Sequence, residues 1–260
     1  MLLEGKVAIV SGIGPGMGRS ISLKLAAQGA DIVLAARTPA KLEQVAKDVE
    51  ALGRKATQIV TDLTKPADCR ALVARAVETH GKLDILVNNA YHWGTGQLFE
   101  KDDLEKGWRD TLEVNLYGSL RVTQAAVPAL RAAGGGSIVM INTMSMRVVN
   151  PTFSAYAASK AALHAATQGM AGELGVDQIR VNSVMPGYIW GDAVKGLFER
   201  QAVAEGISVD EARKRVTANI PLRRIPHPDE IAGAVVFFAS DLSSCITGQS
   251  LDVNGGHVMY

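Results

Sequence analysis

The chain has 260 residues, 47% of them hydrophobic, which suits one α/β domain with a large core better than two small domains. Its 27 basic and 26 acidic residues give a formal net charge of +1, with no long run of either sign. This balance excludes the strongly charged surface that binds nucleic acid or an anionic membrane, so we expect a small-molecule ligand.

The cysteines and the N-terminus indicate the compartment. Cys69 and Cys245 form no CxxC motif, and isolated cysteines are more often buried thiols than a disulfide or a metal site. Residues 1–6 reach a charge at once, and the apolar run at residues 232–239 is too short to span a bilayer. We expect a cytoplasmic protein without a metal site.

Short β-branched segments alternate with longer helical patterns along the whole chain. Such alternation predicts βαβ units, whose right-handed crossovers build a doubly wound Rossmann-type domain with a mostly parallel sheet and helices on both faces. Ligands of such sheets bind beyond the carboxyl ends of the strands. The seven predicted strands are residues 7–10, 31–35, 56–60, 85–87, 137–141, 180–184 and 250–253.

A glycine-rich turn follows the first predicted strand. Gly12, Gly16 and Gly18 give a GxxxGxG pattern, whereas the commoner GxGxxG fingerprint fails because Met17 occupies its last position. A turn between a strand and a helix directs backbone N–H groups and the helix N-terminus at an anion. We therefore predict a phosphate-binding turn.

Capping signals mark several helices. Thr38-Pro39 predicts the N-cap and first turn of a helix over residues 41–52, and Lys65-Pro66 opens the next helix. The least regular stretch is residues 186–228, where a helical pattern near residues 209–218 lies among prolines. Nothing in this stretch indicates a second core, so we predict a single domain over residues 1–260.

Tyr156 and Lys160 lie four residues apart, which places them on one helix face. At roughly 5 Å and an effective dielectric of about 20, the ammonium favours the phenolate by about 3 kcal/mol and lowers the phenol pKa by about two units. We therefore expect Lys160 to bring the pKa of Tyr156 towards neutrality, where proton transfer is most useful. An alanine-rich helix can also carry such a pair without any function.

Together, the glycine turn and Tyr156-x-x-x-Lys160 resemble the short-chain dehydrogenase/reductase family, from about Lys6 to Gly256. The resemblance implies hydride transfer between a nicotinamide cofactor and a secondary alcohol or ketone. It implies that Tyr156 is the acid in reduction and the base in oxidation, and that Lys160 tunes Tyr156 and binds the nicotinamide ribose. Asn115 matches the family's helix asparagine that holds a relay water; a buried asparagine that braces a helix is the alternative.

The family's catalytic serine has two candidate counterparts. Thirteen residues before Tyr156 the family places a serine, and this chain has Thr143 there. The threonine hydroxyl can still hydrogen-bond a carbonyl oxygen, although its methyl group narrows the pocket. Ser145 is the rival, and either hydroxyl could instead only cap the strand end.

The end of the second strand bears on the choice of cofactor. An acid there usually holds the ribose 2′-hydroxyl of NAD(H), but Ala36 occupies the place and Arg37 follows. A guanidinium can pair with a 2′-phosphate, which favours NADP(H) over NAD(H). Pro15 stands where NADP-type members carry a second basic residue.

Three further segments match cofactor-binding positions of the family. Asn88-Asn89-Ala90 matches the motif on the adenosine side, with Tyr91 in place of the usual glycine. Asp62 resembles the aspartate that accepts from the adenine amino group, and an N-cap for a turn at Thr64 is its alternative use. Pro186-Gly187 resembles the turn beside the nicotinamide carboxamide. The full predicted cofactor set is Gly12, Gly14, Gly16, Met17, Gly18, Arg37, Asp62, Leu63, Asn89, Ala90, Tyr156, Lys160, Pro186, Gly187 and Ile189.

The substrate pocket and the assembly are also expectations from the resemblance. Residues 187–228 match a mobile lid, and the helices around residues 104–130 and 156–174 match the contacts of a homotetramer or dimer. The candidate pocket walls are Tyr91, Trp93, Tyr188 and Trp190, which favour an apolar substrate. Two alternatives stay open: a member that binds nucleotide without catalysis, and, more remotely, a methyltransferase.

Overall fold

A computed structural model describes residues 1–259, so the predicted domain range includes one residue, Tyr260, that lies outside the described part. Seven parallel strands form one sheet in the order β3-β2-β1-β4-β5-β6-β7. The strands are β1 (Val7–Ser11), β2 (Asp31–Ala36), β3 (Ala56–Val60), β4 (Ile85–Asn88), β5 (Gly136–Ile141), β6 (Ile179–Pro186) and β7 (Ser250–Val253). The predicted doubly wound sheet is therefore confirmed, and each strand overlaps its predicted range.

Helices cover both faces of the sheet. Those that connect the strands are α1 (Met17–Ala27), α2 (Pro39–Glu50), α3 (Pro66–His80), α4 (Arg109–Leu112), α5 (Ser119–Ala132), α6 (Ser154–Leu174), α7 (Asp192–Glu205), α8 (Val209–Thr217) and α9 (Pro228–Ala239). Two apolar clusters make the core: α1, α2 and α9 pack on one face of the sheet, and α3, α5 and α6 pack on the other. Alternate residues of β1 serve the two clusters, as the pleat requires.

Strand order reverses next to β1, which pairs with β2 on one side and β4 on the other. The connection after β1 leads to α1 on one face of the sheet, and the connection after β4 leads to α5 on the other face. This divergence opens a crevice at the carboxyl ends of β1 and β4. The glycine turn, the loop after β4 and the start of α6 all meet this edge. The fold thus brings these three segments to one edge of the sheet.

The helix that leads into α5 is irregular. π-helical turns at Leu104–Trp108 and Glu113–Gly118 flank the short α4, and Asn115 lies in the second turn. Such turns displace one residue from the regular helical ladder and occur often at functional sites. The displacement turns the buried Asn115 towards neighbouring elements.

Residues 187–228 form a helical pair on their own small core. Phe198, Ala212, Ile220 and Ile225 are buried together between α7 and α8. The sequence pattern indicated only the second of these helices. The lid role of this segment stays a prediction.

Candidate active site

The glycine turn leaves room for an anion at the N-terminus of α1. Gly12 has a φ of +82°, and a Cβ atom there would lie 2.4 Å from the Ala90 backbone, so this position requires glycine. At Gly14 and Gly16 a Cβ would meet nothing within 4 Å, so both face open space. The first turn of α1 has no acidic residue and no side-chain cap at Gly16. Its N–H groups therefore suit a pyrophosphate, as the sequence predicts.

The close approach of Gly12 and Ala90 joins the turn to the loop after β4. Asn89 Nδ2 donates to the Gly12 carbonyl oxygen over 2.8 Å, and Asn88 Nδ2 donates to Thr123 Oγ1 over 3.0 Å. One asparagine thus holds the glycine turn, and its neighbour holds α5. The two side chains thus fix the edge of the sheet, and the role of the motif on the adenosine side stays a prediction.

Arg37 and Asp62 lie together beyond β2 and β3. Partial burial raises the pKa of Asp62, but two hydrogen bonds from Thr64 and the charge of Arg37 outweigh it and lower the pKa overall. Asp62 Oδ1 accepts from Thr64 N at 3.0 Å and from Thr64 Oγ1 at 2.8 Å. Asp62 therefore caps the turn at Thr64, which was the alternative use of this residue. Its second oxygen, Oδ2, takes no part in these two bonds. Arg37 is exposed and has no hydrogen bond or ion pair within residues 1–259.

Thr143 is the hydroxyl that lies beside Tyr156. It is the N-cap of the short 3₁₀ turn that follows β5, has an extended backbone and is 7% exposed. Its hydrogen bonding acts to lower the pKa of the Tyr156 phenol. Ser145 Oγ lies 3.2 Å from Thr143 Oγ1, and Ser145 N–H donates to the same oxygen. Of the two candidates, Thr143 is the one that acts on the pKa of Tyr156.

The electrostatics of Tyr156 and Lys160 differ from the expectation. Burial raises the pKa of Tyr156 to about 12, against the lowering by its bond with Thr143, and the nearby Tyr91 phenol adds to the rise. Burial also lowers the pKa of Lys160 to about 7. The prediction that Lys160 lowers the pKa of Tyr156 is therefore wrong for the protein alone. Burial disfavours the charged form of the Lys160 ammonium as well as the phenolate, and its Nζ donates to the Ile141 carbonyl oxygen over 2.6 Å.

Asn115 connects three elements at this edge. Its Oδ1 accepts from His92 N over 2.6 Å, and its Nδ2 donates to the His92 carbonyl oxygen over 2.8 Å and to Ser159 Oγ over 2.9 Å. Ser159 precedes Lys160 on α6. The side chain thus braces the loop after β4 against α6, which was the alternative reading of this residue.

The Pro186-Gly187 turn at the end of β6 packs against the C-terminal segment. A Cβ at Gly187 would lie 2.8 Å from Asn254 Cβ and 3.1 Å from Met144 Sδ. Gly187 is therefore needed for close packing beside the loop that carries Thr143. Ile189, just beyond it, packs against the core that includes α1 and α9.

The aromatic candidates separate into two groups. Tyr91 and Trp93 are exposed beside the site, whereas Trp190 packs on Phe198 in the lid core with Lys195 and Arg213 over its ring. Tyr188 stacks on His257 at 5.9 Å. Trp190 thus packs in the small core of residues 187–228, and its role as a pocket wall stays a prediction.

Phe153 is a site residue that sequence reasoning missed. Its ring lies 6.3 Å from Tyr156 and 6.2 Å from Trp93. Phe153 lies three residues before Tyr156, at the N-cap of the same helix. This spacing is the sequence signal that could have identified it. Its neighbour Thr152 has a φ of +72°, which no sequence pattern indicates.

Within residues 1–259, no group of three histidine, cysteine, aspartate or glutamate side chains is arranged to hold a metal ion. His92 and His164 hydrogen-bond to Thr111 and Ser250 respectively. In the same part of the chain, no helix combines the length and apolar character that a bilayer crossing needs.

Known proteins resemble this chain over nearly its full length. The family model described as enoyl-(acyl carrier protein) reductase matches residues 12–258. The 3-oxoacyl-(acyl-carrier-protein) reductase of Thermotoga maritima is 34% identical, and the alignment covers 100% of both chains. The predicted oxidoreductase class is confirmed, and neither the non-catalytic alternative nor the methyltransferase finds support among these proteins.

Solved structures also resemble this chain over nearly its full length. A short-chain type dehydrogenase/reductase from Mycobacterium marinum is 33% identical with a TM-score of 0.89, covering 99% of this chain and 97% of the other. 7α-Hydroxysteroid dehydrogenase, solved with NADH and 7-oxo glycochenodeoxycholic acid, is also 33% identical, with a TM-score of 0.88 and coverage of 99% and 96%. The chain therefore belongs to the short-chain dehydrogenase/reductase family and is an oxidoreductase that transfers a hydride with a nicotinamide cofactor.

Proposed function

We propose that this enzyme interconverts a secondary alcohol and a ketone, with Tyr156 transferring the proton. The observation that carries the proposal is the buried Lys160, one turn along α6 from Tyr156, whose Nζ donates to the Ile141 carbonyl oxygen over 2.6 Å at the end of β5, two residues before Thr143. The nicotinamide supplies or accepts the hydride when it is bound. The side chains of Tyr156, Thr143 and Lys160 are then needed only to orient the substrate oxygen atom and to transfer its proton.

Each side chain has a distinct part in this proposal. Tyr156 stays protonated at neutral pH because burial raises its pKa to about 12, and the protonated phenol is the form that donates to a carbonyl oxygen in reduction. The Thr143 hydroxyl orients the same oxygen by a second hydrogen bond. Lys160 binds the nicotinamide ribose, and a cation held there favours the phenolate that oxidation requires. Asn115 braces the helix that carries both residues and is the candidate for holding a relay water.

We infer a preference for NADP(H) over NAD(H). Arg37 follows β2, is exposed and makes no side-chain hydrogen bond or ion pair within residues 1–259, although its charge lowers the pKa of Asp62, so its guanidinium nitrogens are available for a 2′-phosphate. Asp62 and Leu63 border the same region, and Asn89, Ala90, Pro186, Gly187 and Ile189 complete the proposed binding surface. The related 7α-hydroxysteroid dehydrogenase was solved with NADH, so the family alone does not imply NADP(H) and the inference depends on Arg37.

The substrate is proposed to be apolar, because Tyr91, Trp93 and Phe153 lie beside Tyr156. We also propose a homo-oligomer and closure of residues 187–228 over the substrate. The free thiols of Cys69 and Cys245 fit a reducing cytoplasm.

The test is turnover by Tyr156→Phe with NADPH and a panel of ketones. We expect kcat to fall by at least about a hundredfold while the fold and the cofactor affinity stay unchanged. Circular dichroism and a fluorescence titration with NADPH provide the controls. Undiminished turnover in this variant would show that another group moves the proton.

A further inference from the structure

Three aromatic side chains form a row that ends at the proposed proton donor. Phe153 stands between Trp93 and Tyr156, with ring centroids 6.2 Å and 6.3 Å apart respectively. The interplanar angles are 62° and 78°, which is the edge-to-face arrangement that aromatic rings prefer. The row therefore leads from the reacting hydroxyl outwards along one wall of the site.

The outer part of this wall is open to solvent. Trp93 is 50% exposed and Tyr91 is 59% exposed, and both belong to the loop that follows β4. Large apolar side chains exposed next to one another usually mark a binding surface. Tyr91 also lies close enough to Tyr156 to raise its pKa, so it borders the same space.

The backbone holds two of these rings in place. A Cβ atom at Gly96, where φ is +73°, would lie 3.6 Å from the Trp93 ring, so the loop folds back under the indole. Phe153 follows Thr152, a β-branched residue with a φ of +72°. Unfavourable backbone of this kind persists where the surroundings fix it, and it is found preferentially at ligand sites.

The charge of this wall indicates what it does not bind. Between Thr143 and Phe153 the one charged residue is Arg147, and it is paired with Asp252 over 2.6 Å. The exposed residues Tyr91 and Trp93 carry no charge at neutral pH. The wall therefore suits a neutral substituent better than a carboxylate or a phosphate.

We propose that Trp93 and Phe153 bind a planar ring attached directly to the carbonyl carbon, so that aryl ketones and the matching secondary alcohols are the substrate class. The proposal rests on the proposed function, since it takes Tyr156 as the proton donor. A ring in this position extends the edge-to-face row, whereas a compact aliphatic group gains no such contact. One contact of this kind corresponds to roughly a two- to tenfold difference in affinity.

The test compares acetophenone with cyclohexyl methyl ketone, which has a similar size and no π face. Because the two ketones differ in intrinsic reactivity, the readout is the change of their kcat/KM ratio on substitution. We expect Trp93→Leu and Phe153→Leu each to lower the ratio by about two- to tenfold, mainly through a higher KM for acetophenone. Phe237→Leu, which changes a half-buried aromatic residue on α9, is the matched control and should leave the ratio unchanged.

Binding without turnover gives a second readout. Acetophenone should quench the tryptophan fluorescence of the NADP⁺ complex, which cannot reduce it, and Trp93→Leu should remove most of the quenching although Trp108 and Trp190 remain. Thermal melting checks that each variant is folded. An unchanged kcat/KM ratio in both variants, or quenching that persists without Trp93, would overturn the aryl assignment. Quenching at Trp93 with no reduction of any ketone would instead contradict the proposed function and leave the ring site standing.

Discussion

Asn115 and Ser159 are joined by a hydrogen bond of 2.9 Å between the amide Nδ2 and the hydroxyl Oγ. The bond ties the π-helical turn at Glu113–Gly118 to α6, one residue before Lys160. The same amide holds the backbone of His92 through two further bonds. A single buried side chain thus sets how α6 meets the loop after β4.

Removal of Asn115 should therefore weaken both the fold and the site. Asn115→Ala leaves the His92 N–H and carbonyl groups without their partner, and we expect the free energy of unfolding to fall by about 2–4 kcal/mol. Ser159→Ala removes fewer bonds and should cost about 1 kcal/mol. Chemical denaturation measures both, and Gln168→Ala, on the exposed side of α6, is the control. Equal stability of Asn115→Ala and the wild type would show that the bracing contributes little.

The two hydroxyls beyond β5 should differ in their effect on turnover. Thr143→Val keeps the side-chain shape but removes the hydroxyl proposed to orient the carbonyl oxygen, so we expect kcat to fall by about a hundredfold, whereas Thr143→Ser should retain most of it. Ser145→Ala should lower kcat by less than about tenfold, because Ser145 acts through Thr143. Steady-state kinetics with one ketone measures kcat for each of these variants. A larger loss in Ser145→Ala than in Thr143→Val would transfer the role to Ser145.

The buried Lys160 should give the folded state a pH dependence of its own. Its pKa is about 7 when folded and near 10.5 when unfolded, so the unfolded chain binds more protons between these values. Stability should therefore rise with pH across this window, by up to about 1.4 kcal/mol per pH unit relative to Lys160→Met. Below about pH 7 the difference should level off. The raised pKa of Tyr156 is common to both proteins and largely cancels.

Urea denaturation at intervals from about pH 6 to about pH 10 provides the measurement. Lys160→Met also loses the bond to the Ile141 carbonyl oxygen, but that loss shifts the whole curve rather than its slope. A difference between wild type and variant that stays constant with pH would mean that Lys160 keeps its ordinary pKa in the folded protein.

Cofactor preference should depend on Arg37. Arg37→Glu replaces a free guanidinium by a carboxylate that repels a 2′-phosphate, so we expect the KM for NADPH to rise by roughly 10- to 100-fold. The KM for NADH should change little, because NADH lacks that phosphate. Arg75→Glu on the surface of α3 makes the same change in net charge and is the control. A wild-type enzyme that uses NADH better than NADPH would reject the assignment to Arg37.

The secondary structure was largely readable from the residues. Each predicted strand overlaps an observed one, because β-branched runs that are buried on both sides differ plainly from amphipathic helices. The helix α7 was missed, because its residues pack on a local core of only a few side chains. Thr38 does lie at the N-cap of α2, but its side chain makes no capping hydrogen bond there.

The candidate site was read less completely. Tyr156 and Lys160 were proposed from their spacing and Thr143 from the family resemblance, but the pKa shift predicted for Tyr156 had the wrong sign. The short distance between Tyr156 and Lys160 favours the phenolate, whereas the loss of water around each group disfavours both charges and outweighs it. Phe153 was overlooked because the partner of an aromatic ring depends on contacts between distant segments.

The amino-acid sequence by itself determined the parallel α/β architecture, the glycine turn and the pairing of Tyr156 with Lys160, because periodicity, backbone freedom and i, i+4 spacing are local properties. Only the tertiary structure decided what Asn115 braces, how deeply Lys160 is buried and which rings lie beside Tyr156. These depend on which strand ends lie side by side and on how much water is excluded there, and neither quantity is encoded within a short stretch of chain.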